Sequence, residues 1–102
     1  MDEKRRTTVI IPNMNGMKYL DKCLQSLVSS DAEIIVVDNG STDGSLEMVS
    51  SNYPQVRLIR NSQNLGFCKA VNQGVAEADT EFVFLLNNDI KTVADILKLT
   101  DG

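Results

Sequence analysis

Two places in the chain set a carboxylate beside amides directly after an apolar run. The first is Asp38-Asn39, after residues 34–37 (Ile-Ile-Val-Val). The second is Asn87-Asn88-Asp89, after residues 82–86 (Phe-Val-Phe-Leu-Leu). Asn13-Met14-Asn15 and Asn61-Ser62-Gln63-Asn64 follow two further apolar runs in the same way, and Lys69 comes soon after. Amides and carboxylates can hydrogen-bond a base or a ribose, and carboxylate oxygens suit Mg²⁺, which is bound through one or two carboxylates plus substrate phosphates. A lysine in the first turn of a helix opposes the helix dipole and is easier to understand opposite a phosphate. Each strand-end polar residue alone reads more readily as a turn or a helix cap, and Lys69 alone equally well as an exposed residue of a solvated face. The four groups together point to a nucleotide diphosphate and a divalent cation. The chain has no histidine, so no histidine base or metal ligand operates on it. It has no G-x-x-x-x-G-K-[ST] motif. Its first loop, residues 12–16, has one glycine where a dinucleotide fingerprint needs three.

These groups must be positioned by what lies between them. Residues 7–11 (Thr-Thr-Val-Ile-Ile) are a β-branched run that Pro12 is expected to stop. Met17, Leu20, Leu24, Leu27 and Val28 then form a helical stripe, closed at Asp31. Residues 34–37 suit a strand buried on both faces, as in a parallel sheet covered by helices. Ser41 or Asp43 is placed to cap a second helix, with Leu46, Val49 and Tyr53 inward and Pro54 at its end. Residues 56–59 predict a short third strand. Phe67, Ala70, Val71, Gly74, Val75 and Ala78 predict the inner face of a third helix, with Lys69, Asn72 and Gln73 opposite. Residues 82–86 predict a fourth strand and residues 93–99 a weak final helix. The order βαβαβαβ with short connections implies an α/β fold: an open parallel sheet with right-handed crossovers. All four polar groups then share the carboxyl edge of the sheet, where such folds bind ligands.

With 102 residues there is room for one small domain, residues 1–102, which reads as the front half of something larger. Lys plus Arg number 10 against 14 Asp plus Glu, a net charge of −4. Apart from Lys4-Arg5-Arg6, read as a solvated tail, the basic residues are scattered, which argues against a nucleic-acid partner. No apolar run is long enough to span a bilayer and none resembles a signal sequence, so the expected location is cytoplasmic, at most peripheral to a membrane. Cys23 and Cys68 stand 45 residues apart without metal-type spacing and are expected as buried free thiols.

Four stretches resemble the nucleotide-binding half of a family 2 glycosyltransferase of the GT-A fold, a Rossmann-like α/β domain. They are residues 9–15 (Val-Ile-Ile-Pro-Asn-Met-Asn), 35–45 (Ile-Val-Val-Asp-Asn-Gly-Ser-Thr-Asp-Gly-Ser), 61–67 with Asn72 and Gly74, and 84–90 (Phe-Leu-Leu-Asn-Asn-Asp-Ile). They run in the family's order and cover residues 7–90. The resemblance implies a UDP- or dTDP-sugar donor, a glycan or lipid-linked acceptor, and transfer with inversion in polysaccharide synthesis. It places Pro12, Asn13 and Asn15 about the base and ribose, and Asp38 on the pyrimidine with Asn39 and Ser41 shaping the turn beside it. Asn64, Gly66 and Lys69 fall near the base and diphosphate. Asn87-Asn88-Asp89 stands where the family has its Asp-x-Asp motif, with Asn88 on the ribose and Asp89 on Mg²⁺ or Mn²⁺. Two of the three positions are Asn, which implies modest metal affinity and resembles rhamnosyltransferase-like members. The catalytic base is expected beyond residue 102; Asp95 and Asp101, in or beside the weak helix, are poor candidates for it.

Two other readings compete. The chain could be a non-catalytic fragment that binds nucleotide or associates with itself through an open sheet edge. A sugar-nucleotide-forming nucleotidyltransferase would need a glycine-rich basic loop after the first strand, which residues 12–16 do not supply.

Overall fold

The computed structural model describes residues 6–87. In chain order these form β1 (Thr7–Asn13), α1 (Met17–Leu27), β2 (Glu33–Asp38), α2 (Ser45–Asn52), β3 (Arg57–Arg60), α3 (Phe67–Glu77) and β4 (Phe82–Leu85). The four strands make one parallel sheet in the order β3-β2-β1-β4. The expected open parallel α/β fold is therefore the observed one. The helix expected over residues 93–99 lies outside the described residues, as do Asn88, Asp89, Asp95 and Asp101.

Successive residues of a strand face opposite sides, so the β-branched runs of β1 and β2 feed two cores at once. Val9, Ile11, Ile34 and Val36 face α1 and α2, joining Leu20, Leu24, Val49 and Tyr53. Ile10, Ile35 and Val37 face the other way, onto Ala70 of α3. Six of these seven strand residues are at most 4% exposed, and each such side chain contributes about 1.5–3 kcal/mol by leaving water.

Pro12 does not end β1. It pairs with Val37, and the strand runs on to Asn13 opposite Asp38. The carbonyl of Asn13 accepts from Asn39 N–H, so Asn13 faces β2 and Pro12 faces the β4 side. There the ladder stops at Ile10 opposite Leu85, closed by Leu86 N–H to the Ile10 carbonyl. The proline thus lacks a donor where the sheet asks for none. The first helix ends at Leu27 rather than at Asp31, because the Ser30 hydroxyl and N–H both donate to the Leu27 carbonyl and turn the chain out.

The third helix corrects its predicted inner face. Ala70 and Gly74 are buried, whereas Phe67 and Val75 are 49% and 48% exposed. The helix sits so close to the sheet that a Cβ on Gly74 would lie 2.5 Å from Ile10 Cγ2. Beneath it lie the small residues Ala70 and Gly74, while Phe67 stands at the first helical position. Cys23 is buried, and burial pushes its thiol pKa up; Cys68, on the outer side of α3, is exposed rather than buried. The apolar run of β4 resembles that of β2 but lies at the sheet edge, with Phe82, Val83, Phe84 and Leu85 between 41% and 60% exposed.

Candidate functional site

The carboxyl ends of β1 and β2 are joined by a buried cluster. Asp38, 1% exposed, accepts four hydrogen bonds. Its Oδ1 takes Asn13 Nδ2 at 2.9 Å and Ser41 Oγ at 2.7 Å; its Oδ2 takes the N–H groups of Gly40 at 3.2 Å and Ser41 at 2.8 Å. A carboxylate offers about four lone-pair sites, so Asp38 is saturated by its own turn and by β1. Asn13 Nδ2 also reaches Ser41 Oγ at 3.2 Å. Asn15 has φ +53°, a left-handed conformation that asparagine tolerates. It braces the same turn, donating its N–H to Ser41 Oγ and accepting Thr42 N–H on Oδ1.

The next residue builds a second cluster. Asn39, 5% exposed, donates from Nδ2 to the Gly66 carbonyl at 3.3 Å. Its Oδ1 accepts Asn61 Nδ2 at 3.0 Å and Leu65 N–H at 3.4 Å. Asn61 and Gln73 then exchange two amide hydrogen bonds, of 2.7 and 2.9 Å. Asn64 Oδ1 accepts Gly66 N–H and shapes the entry to α3, where Gly66 has φ +94°. Gly40, φ +88°, lets the two loops touch: a Cβ there would meet the Gln63 backbone at 3.1 Å.

The helix starts are organised by Asp43 rather than by a side chain at the N-cap itself. The N-cap of α2 is Gly44 in the left-handed region. Asp43 accepts from the N–H and hydroxyl of Ser45 on one oxygen and from Met17 N–H, at the start of α1, on the other. Partial burial works to raise its pKa, but these hydrogen bonds outweigh it and hold the carboxyl below its ordinary value.

In front of these clusters, between the ends of β1 and β4 and the start of α3, lies an open pocket of about 180 Å³. It is lined by Pro12, Asn13, Met14, Asn39, Asn64, Phe67 and Asn87. Five of these were named from sequence; the structure brings them together. Asn15, Asp38 and Ser41 stand behind the pocket as its frame. Gly66 holds Asn39 through its carbonyl. Lys69 is exposed on the first turn of α3 and is not part of the lining. Asn88 and Asp89 lie outside the described residues, and among the described residues no group of three acidic or thiol side chains could hold a metal. Sequence reasoning missed Met14 and Phe67. Phe67 was assigned to the core stripe, although its place at the first helical position on the carboxyl edge was the available signal. The lining is therefore four amides with three apolar side chains, Pro12, Met14 and Phe67, which suits a flat, neutral, hydrogen-bonding ring.

The family model described as Glycosyl transferase family 2 matches residues 8–92. The uncharacterized glycosyltransferase YibD of Escherichia coli K12 is 34% identical over 95 residues, covering 87% of this chain and 27% of that protein. The N-acetylglucosaminyl-diphospho-decaprenol L-rhamnosyltransferase of Mycobacterium tuberculosis is 37% identical over 62 residues, 58% of this chain and 20% of that protein. The crystal structure of S. aureus TarS 1–349 in complex with UDP superimposes with a TM-score of 0.73 at 29% identity, covering 94% of this chain and 32% of that one. The chain spans less than a third of the length of these relatives.

Proposed function

Since the chain belongs to glycosyl transferase family 2, we propose that it forms the donor-binding part of an enzyme transferring sugar from a UDP- or dTDP-sugar to a glycan or lipid-linked acceptor. The observation that carries this is the amide-lined pocket at the carboxyl ends of β1 and β2, in a chain whose structural relative TarS was crystallised with UDP. The pyrimidine enters the pocket between Met14 and Phe67 and meets Asn39. Asp38, its oxygens taken by four donors, orients the turn and Asn13 instead of touching the base. Pro12, Asn13 and Asn64 line the base and ribose region, and Asn87 leads toward Asn88 and Asp89.

In this reading Asn88 reaches the ribose, and Asp89 holds Mg²⁺ or Mn²⁺, with modest affinity because two of its three motif positions are amides. The cation would supply positive charge to the leaving diphosphate. Lys69, exposed in the first turn of α3, would add charge to the same group. The acceptor hydroxyl attacks the anomeric carbon, the bond to the diphosphate breaks, and the centre inverts. The base taking the hydroxyl proton is proposed beyond residue 102, so residues 1–102, one domain in this reading, bind donor nucleotide without sustained transfer. An L-rhamnosyltransferase among the relatives supports the rhamnosyl-type reading of Asn87-Asn88-Asp89. The location in this reading is cytoplasmic or membrane-peripheral; among the described residues no helix is long and apolar enough to cross a membrane.

Calorimetric titration with UDP and dTDP, with and without Mn²⁺, tests this. Metal-dependent binding that Asp89→Ala abolishes supports the reading; a folded chain that binds neither nucleotide overturns it. A second reading, self-association of two copies through β4, is favoured by four consecutive exposed apolar residues on that edge strand. A monomer by light scattering at high concentration would remove it.

A further inference from the structure

The pocket takes Pro12, Asn13 and Met14 from β1 and its loop, and Phe67 from the start of α3. The gap between these walls therefore depends on how closely α3 lies against β1. Phe67, Ala70 and Gly74 fall at i, i+3 and i+7, on one stripe of the helix. Gly74 lies against Ile10: a Cβ there would stand 2.5, 3.1 and 3.2 Å from Ile10 Cγ2, Cδ1 and Cγ1. From Gly74 back to Phe67 the helix covers about 10 Å. From Ile10 to Asn13 the strand covers about 10 Å as well. A helix linking two parallel strands runs back against them, so the stripe that meets Ile10 with Gly74 reaches the end of β1 with Phe67.

Ile10 is a firm stop for that helix. Its backbone sits between Ile35 of β2 and Leu85 of β4. Its side chain is fully buried and β-branched, so it has no room to turn aside. Among the described residues, no backbone hydrogen bond ties α3 to the sheet. A side chain at position 74 therefore displaces the helix rather than the strand, by roughly 1 Å before ordinary contact is regained.

We propose that Gly74 is a positioning residue for donor binding: by letting α3 rest on Ile10, it holds Phe67 at the distance from Pro12 and Met14 that grips a flat ring. Gly74 does not touch the ligand. This rests on the donor-site reading above and adds to it what sets the spacing of the two walls.

The test measures UDP affinity by calorimetry with Mn²⁺ present, and Tm by thermal melting. It uses the unaltered chain, Gly74→Ala, Phe67→Ala, the double variant and Val49→Ala. Gly74→Ala is expected to weaken UDP by about fivefold, the scale of one aromatic contact. Because it acts through Phe67, the two losses overlap: in the Phe67→Ala background, Gly74→Ala weakens UDP by less than about twofold more. Val49→Ala opens the core on the other face of the sheet; it is expected to lower Tm at least as far and to leave UDP within about twofold. General softening of the fold gives a different pattern. Additive losses in the double variant, or a loss in Val49→Ala equal to that in Gly74→Ala, would overturn the inference and spare the donor site. Unchanged UDP binding in folded Gly74→Ala or Phe67→Ala would do the same. Should Gly74→Ala not fold, Gly74→Ala/Ile10→Val removes the Cδ1 contact but keeps the push from Cγ2, and the same comparison is read there. A folded, unaltered chain that binds no UDP would overturn the donor site and this inference with it.

Discussion

The two flanks of β1 are built on opposite rules. Toward β2, the strand ends in hydrogen bonds carried past the sheet by side chains: Asn13 to Asp38, Asp38 to its own turn, Asn39 to Asn61 and on to Gln73. Toward β4, the ladder stops at Ile10, and Pro12 presents no donor. The pocket lies on the boundary, with Asn39 from the closed flank and Pro12 and Asn87 from the open one. A parallel sheet thus makes room for a ligand by stopping its pairing on one side of a central strand while the other side is held fixed.

This contrast can be broken most forcefully from the closed flank. Asp38→Ala removes an acceptor from four donors in a buried site, and we expect a loss of about 3 kcal/mol in urea unfolding. A loss below about 1 kcal/mol would show that the closed flank is not what holds the edge together. Phe67→Ala, at the pocket mouth, should weaken UDP by about fivefold while changing stability by no more than about 0.5 kcal/mol, because the ring is half exposed. Titration and thermal melting on one sample separate the two effects. Pro12→Ala adds an N–H on the open flank and frees the unfolded chain, so about 0.4–1 kcal/mol should be lost in thermal unfolding. A much larger loss would mean that the open flank is as constrained as the closed one.

The smallest effect concerns acid. Asp43 has a folded pKa below its ordinary value, so its contribution is present above the ordinary aspartate range near about 3.9 and is lost as pH falls through the lowered folded value. Asp43→Asn should flatten the acid limb of the stability profile. An unchanged limb would show that its hydrogen bonds to Ser45 and Met17 do not favour the ionised form.

Much of this was legible in the sequence because the period of the apolar residues changes with the element. The β-branched runs of β1 and β2 and the stripe of α1 fixed the parallel α/β order, and the polar groups following the strands located the ligand edge. Other features depended on distances between elements. Nothing in the spacing of α3 reveals that Gly74 lets it approach Ile10, nor that Phe67, at the first helical position, lines the pocket rather than the core. The apolar runs of β4 and β2 both read as strands, and their different burial follows from position in the sheet. Asp38 and Asn39 are neighbours of similar shape, and only the three-dimensional tally of donors shows that the carboxylate frames the turn while the amide reaches the pocket.

The register of β1 with its two neighbours also bears on the order in which the chain assembles. Thr8 meets Glu33 across 25 residues, whereas Arg6 meets Glu81 across 75, and closing the longer loop in an unfolded chain costs about 1 kcal/mol more. Once α3 has docked on β1 and β2, only the short stretch from Ala78 to Glu81 separates β4 from its place. On a ribosome, the β1–β2–β3 platform would therefore be complete while β4 was still emerging. Of the four described strands, the last to join is the one whose flank carries the open side of the pocket, so that side is added to a scaffold already set.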